Sequence, residues 1–250
     1  MQNCPECGYK KWLKTDKKTA DDIRIWKCGN VLCEHEQEGD RPFERPKPKI
    51  LYIDVETSLS ELYGNFGLKV RGEYISSKLV KHPFFIICWS AMWMDKKKIY
   101  SGCVSLEDAL LWQDRYILPP LVELMNRADI VAGHGVDPFD AKVINTRILL
   151  NGSEKPEDYK TWDTLKLARK KFRFESNELD YLCRIFGLRP KMPMCIEDWI
   201  AITQGDKDTL NKMQEYNKGD VKEGAQVLEK LKGWDNKRWD FGLRAFPKIP

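Results

Sequence analysis

The chain has 250 residues, 42% of them hydrophobic and 32% charged, with 42 Lys and Arg against 38 Asp and Glu for a net charge of +4. That length suits one domain with a small appendage, and no apolar run approaches the roughly 20 residues a bilayer span requires. The charge excess is far below that of an architectural nucleic-acid binder. The first residues, MQNCPECGYKKW, lack both the apolar core of a signal peptide and the Arg- and Ser-rich look of a transit peptide, so a cytoplasmic location (host cytoplasm for a viral protein) with no membrane partner is expected.

Four of the eight cysteines fall in the first 33 residues as Cys4-x2-Cys7 and Cys28-x4-Cys33, two knuckle-like pairs separated by 20 residues. A reducing compartment argues against disulfides, and the spacing suits a tetrahedral zinc ribbon over residues 1–40. His35 is the alternative to Cys33 as fourth ligand. Four thiolates leave no open coordination position, so the zinc is structural, and a unit this small has too little core to fold without it. Between the pairs, Lys10, Lys11, Lys14, Lys17, Lys18, Arg24 and Lys27 interleave with Tyr9, Trp12 and Trp26, a mixture suited to phosphate contact and base stacking. Eight acids in the same 40 residues leave it at −1, so a protein-binding or purely structural module stands beside that reading. Residues 41–48, with Pro42, Pro46 and Pro48, form a semi-rigid linker.

From residue 49 to 232 the pattern is that of an α/β domain. Leu51, Ile53 and Val55 alternate with Tyr52, Asp54 and Glu56, which predicts a strand with an apolar and a functional face. Strands follow at 84–93 and 98–104, joined by a turn at Asp95-Lys96-Lys97. Ser105 caps a helix, Pro119-Pro120 opens another running to Arg127, and Ile130 to Ala132 is a short buried strand. Asp137-Pro138 opens a helix ending at Gly152, Asp163 caps one through Lys171, Ser176 caps one stopping at Gly187, and a long helix spans 208–231. The tail, 233–250, mixes aromatics with Lys237, Arg238 and Arg244 and is expected to pack across the domain.

Three fragments carry the chemistry. Asp54 and Glu56, two apart on a strand, project together; on an exposed strand edge they are ordinary solvated acids, while buried they call for a counter-charge such as Mg²⁺ or Mn²⁺. Asp140 falls in the first turn of its helix, where a carboxylate is held rigidly. Tyr216 and Asp220, at i and i+4, share a helical face, while Gly219 and Gly224 within that helix each cost about 1 kcal/mol relative to Ala. Close approach of the helix to the sheet is one compensation; tight packing without function is the other.

In this order, the D-x-E of Asp54 and Glu56, the Phe139-Asp140 pair and the Y-x3-D of Tyr216 and Asp220 resemble the DEDD exonucleases of the ribonuclease-H-like superfamily. The tyrosine at 216 matches the DEDDy branch, and YNKGDV matches small phage-encoded members. The resemblance implies a mixed central sheet flanked by helices. It also implies two Mg²⁺ or Mn²⁺ ions held by Asp54, Glu56, Asp140 and Asp220, with Tyr216 orienting the attacking water. Thr57, His134 and Phe139 would meet the terminal nucleotide. The implied activity is removal of nucleoside 5′-monophosphates from the 3′ end of single-stranded or frayed DNA, with RNA as the alternative substrate and a weakened, binding-only module as the alternative class. A proofreading role would require a replicative polymerase in trans. Where that family usually has His-Asn, this chain has His134-Gly135.

Overall fold

The structure, a computed structural model, describes residues 6–7, 12–20, 24–28, 33, 35–38, 48–63, 76–96, 98–189 and 192–235. The chain divides into two compact units, Met1–Lys47 and Pro48–Pro250. Cys4, most of the linker and the tail beyond residue 235 lie outside the described residues.

In the first unit, β1 (Trp12–Lys18), β2 (Arg24–Cys28) and β3 (Glu36–Glu38) form an antiparallel sheet in that order. Among its described residues the buried apolar content is small: Cys28 and Cys33 are buried, with Cys7 and Trp26 packed against them. An ion pair between Lys17 and Glu36 (3.0 Å) ties β1 to β3 at the surface.

The second unit is built on a five-stranded mixed sheet. Its strands are β4 (Ile50–Thr57), β7 (Ile86–Trp93), β8 (Ile99–Cys103), β9 (Ile130–Gly133) and β10 (Lys160–Asp163), in the order β10-β9-β4-β7-β8. The β9 strand runs parallel to β4 and β10, whereas β7 runs antiparallel to β4 and β8. Two short strands, β5 (Glu61–Leu62) and β6 (Val80–His82), pair outside it. Between the strands lie α1 (Leu106–Leu110), α2 (Leu118–Asn126) and α3 (Asp140–Leu150). After β10 come α4 (Thr164–Lys171), α5 (Leu179–Ile185), α6 (Ile196–Thr203) and the long α7 (Lys207–Leu231). The sheet is covered on both faces: Leu51, Ile53 and Val55 join one apolar cluster with α2 and α3, and Tyr52 joins another with Val221, Ala225 and Leu228 of α7. Tyr52, expected on a functional face, is therefore core.

Several elements depart from the sequence expectation. The pairing of β5 with β6, the strand β10 and the helix α6 were not foreseen. Two or four residues are too short for a periodicity to register, and the α6 cap is a Cys195–Asp198 capping box rather than a Ser or Thr one. The helix expected to open at Asp137 begins at Asp140, because Phe139 N–H donates to Gly135 and Ala141 N–H to Val136 in a preceding turn. Ser176 accepts from Glu178 N–H, but α5 starts only at Leu179.

One buried network sets where α3 sits. Arg147, in the last turn of α3, donates through Nε (2.7 Å) and Nη2 (3.0 Å) to Asp114 and through Nη1 to the Phe84 carbonyl (2.9 Å). Asp114 also accepts from Ile86 N–H and Asn151 Nδ2, so nearly every lone pair of a buried charge is used. Such a pair is retained for geometry, since burial makes the desolvation penalty comparable to the attraction.

Candidate metal centre and adjoining cavity

The strand pleat and one helix face assemble the site. Asp54 and Glu56 leave β4 on the same side, and α7 crosses that side with Asn217, Asp220, Val221, Gly224, Ala225 and Leu228 buried, the 3–4 spacing of a single stripe. Carboxylate oxygens of Asp54, Glu56 and Asp220 all lie within 4.8 Å of one another. Three acids this close repel at neutral pH unless a cation lies among them, and an all-oxygen set selects hard divalent ions.

Close approach of α7 explains one of its two glycines. A Cβ on Gly224 would lie 2.2 Å from the Tyr52 hydroxyl, whereas one on Gly219 would have nothing within 4 Å. Gly224 thus lets the helix settle on the sheet at the level of Asp220; packing does not account for Gly219.

Asp140 is not a member of the close set. It is 3% exposed, and its Oδ1 accepts from the N–H of Val55 (3.0 Å), the residue between Asp54 and Glu56. Burial pushes its carboxyl up to about 7, opposed by that hydrogen bond. The helix start thus pins the strand segment that carries both acids.

The β9–α3 turn is held by Asp163, which the sequence marked only as a helix cap. It caps α4 through Lys166 N–H (3.1 Å) and also accepts from Gly135 N–H (3.1 Å) and Asp137 N–H (3.2 Å). Gly135 has φ of +85°, a left-handed conformation that glycine adopts freely and asparagine more readily than most residues. That backbone demand accounts for the glycine.

His134 is half-buried, with Nε2 donating to the Asn177 carbonyl (2.8 Å) and Nδ1 bonded to Thr164 Oγ1 (2.9 Å). Both its ring nitrogens are therefore used inside the protein. Phe139 is 49% exposed, and Thr57 uses its carbonyl to accept from Trp199 Nε1 (3.0 Å). Tyr216 is partly buried against the main core.

A cavity of about 620 Å³ opens beside Asp54, lined also by His134, Arg169, Ser176, Asn177 and Asp180. Sequence reasoning missed it, because the 173–178 loop that forms one wall has no periodicity. It also missed Asn217, which donates Nδ2 to Asp54 Oδ2 at 2.7 Å. The signal was present: Asn217 stands three residues before Asp220 on the same helical face.

In the first unit, Sγ atoms of Cys7, Cys28 and Cys33 lie within 4.8 Å of one another, with Cys7 and Cys28 at 3.6 Å. Sulfurs about 2.3 Å from a common tetrahedral zinc are about 3.8 Å apart, while a disulfide requires about 2.05 Å. The three thiols fit the zinc geometry. Trp26, expected as a stacking surface, is packed against them.

A mixed five-stranded sheet flanked by helices, with the long α7 lying across it, is consistent with the ribonuclease-H-like fold. In agreement, the chain is similar in structure to the family B DNA polymerase from the hyperthermophilic archaeon Pyrobaculum calidifontis, with a TM-score of 0.56 and 14% identity over 88% of this chain. That span is 29% of the polymerase chain. No family profile and no curated protein matches the sequence. No helix among the described residues is long and apolar enough to cross a membrane.

Proposed function

We propose that this chain is a divalent-cation-dependent 3′–5′ exonuclease acting on the 3′ end of single-stranded or frayed DNA. The observation that carries this reading is the convergence of Asp54, Glu56 and Asp220 within 4.8 Å at the edge of a 620 Å³ cavity. The cavity is of a size that takes a nucleotide. Shared architecture with a DNA polymerase supports a nucleic-acid substrate, and the order of D-x-E, Phe-Asp and Y-x3-D supports the DEDDy assignment.

Asp54, Glu56 and Asp220 would hold one Mg²⁺ or Mn²⁺, and Asp54 with Asp140 a second. Cations there supply Lewis-acid stabilisation of charge on the phosphate and lower the pKa of bound water. The remaining work falls to the chain itself. Tyr216 orients the attacking water from the α7 face that also carries Asp220. Asp140, by taking the Val55 N–H, fixes the direction in which Asp54 and Glu56 leave the strand. The exposed ring of Phe139 offers a stacking surface to the terminal base, Thr57 contacts the same nucleotide, and His134 shapes the cavity wall. Arg169, the one Lys or Arg among the described residues that line the cavity, takes a phosphate. The N-terminal unit is a structural zinc ribbon with Cys4 as the fourth ligand, and a proofreading role would be exercised with a polymerase in trans.

Product analysis tests the chemistry. Single-stranded DNA and RNA incubated with the protein and Mn²⁺ should yield nucleoside 5′-monophosphates, faster from DNA, and none in EDTA. Nucleoside 3′-monophosphates, or turnover that survives EDTA, would contradict the scheme.

A further inference from the structure

Asn217 is fully buried on α7, between Tyr216 and the Asp220 turn, and one end of its amide is used while the other is not. Nδ2 donates to Asp54 Oδ2 at 2.7 Å. The amide cannot be turned over, since Oδ1 toward a carboxylate would set two acceptors face to face. Oδ1 is thereby directed elsewhere, and it is buried without a hydrogen-bond partner. An unsatisfied buried acceptor is destabilising, and asparagine is also a poorer helix residue than leucine, which would fill the same space. Stability alone does not select it. A second orphan stands across the strand from Asp54: Ser90, its cross-strand partner, is fully buried with a hydroxyl that has no hydrogen-bond partner.

We infer that Asn217 is a positioning residue of the metal centre. Nδ2–H anchors one oxygen of Asp54, so that the other is presented to Glu56 and Asp220, and Oδ1 accepts a hydrogen from a water bound to the cation held there. This rests on the cation site proposed above. A neutral amide suits the task better than lysine or arginine, because a positive charge at this point would compete with the cation for Asp54. An asparagine satisfied at both ends only when the site is loaded couples cation binding to the order of α7 at Asp220.

The test is Mn²⁺ binding to the full zinc-loaded chain without nucleic acid, by electron paramagnetic resonance and calorimetry, for wild type, Asn217→Leu and Asn217→Ser. Asn217→Leu should fold with a melting temperature at or above wild type, because the orphan acceptor is gone, yet bind Mn²⁺ about 10- to 100-fold more weakly, the usual loss when a ligand's supporting partner is removed. Asn217→Ser, which keeps a short hydroxyl, should fall between. If a folded Asn217→Leu, or Asn217→Ser where the leucine variant does not fold, binds Mn²⁺ as wild type does, the inference is overturned. Failure of wild type to bind Mn²⁺ in an Asp220-dependent manner would instead overturn the cation site itself.

Discussion

The two ligand clusters of this protein are mounted in opposite ways. Among the described residues of their unit, Cys7, Cys28 and Cys33 form the buried cluster, with Trp26 packed against it. Asp54, Glu56 and Asp220 sit on a sheet and a helix whose core extends through Leu51, Ile53, Ile86, Ile87 and Val221 without them. On the proposed assignment, the zinc would build its fold and the divalent cation would use one. On that assignment, removing zinc would take away a folding term of about 10–16 kcal/mol, whereas emptying the carboxylate site would leave repelling charges on a scaffold that already stands.

That contrast is broken most directly by chelation or by Cys28→Ser. Either should abolish the protected amides of β1–β3 in hydrogen exchange while residues 48–235 keep their protection; loss of protection in both units would deny the distinction. Next in size is chemistry. Asp54→Ala or Asp220→Ala should lower hydrolysis at least about 10³-fold, the equivalent of several kcal/mol of charge stabilisation, with circular dichroism unchanged. Tyr216→Phe, which removes only a hydroxyl, should cost about tenfold.

A smaller effect follows from Asp140. With the zinc in place and no Mg²⁺ or Mn²⁺ added, its carboxyl titrates at about 7 in the folded chain against about 4 when unfolded. The native state therefore holds a proton that the unfolded chain releases. The associated stability is fully present below pH 4 and is lost as pH rises through 7. Asp140→Asn should flatten that decline, raising the melting temperature at pH 8 by a few degrees and leaving it nearly unchanged at pH 4. A parallel fall in both proteins would show that another group carries the dependence. The smallest effects separate the two helix glycines. Gly224→Ala should destabilise by about 1–3 kcal/mol through overlap with Tyr52, and Gly219→Ala should stabilise by up to about 1 kcal/mol. Equal effects would show that close packing does not set the register of α7 on β4.

What the sequence revealed tracks how local each cause is. The strand carrying Asp54 and Glu56, the helix pairing Tyr216 with Asp220 and the Cys4-x2-Cys7 and Cys28-x4-Cys33 pairs are written in short-range spacing. The α/β class was legible from the alternation of elements, while the mixed sheet flanked by helices came from the resemblance those motifs carry. Non-local facts were not: that Tyr52 is sealed by α7, that Asp163 reaches back across 28 residues to Gly135, or that Asp140 spends an oxygen on Val55. The start of α3 was misplaced because Asp137-Pro138 has the look of a cap, while the backbone turns once more before the helix begins and the Asp137 carboxylate goes to Lys166. His134 shows the same limit from the other side, since both ring nitrogens that the sequence offers to a ligand are engaged by the fold.

Hydrolysis at the carboxylate site is tested most directly by its direction and its dependence on the cation and its ligands. Single-stranded DNA labelled at its 5′ end, incubated with wild type and Asp220→Ala in Mn²⁺, should give a ladder of progressively shortened labelled products with wild type and intact strand with the variant. Immediate release of labelled mononucleotide from the 5′ end, or an undiminished ladder with Asp220→Ala, would contradict it.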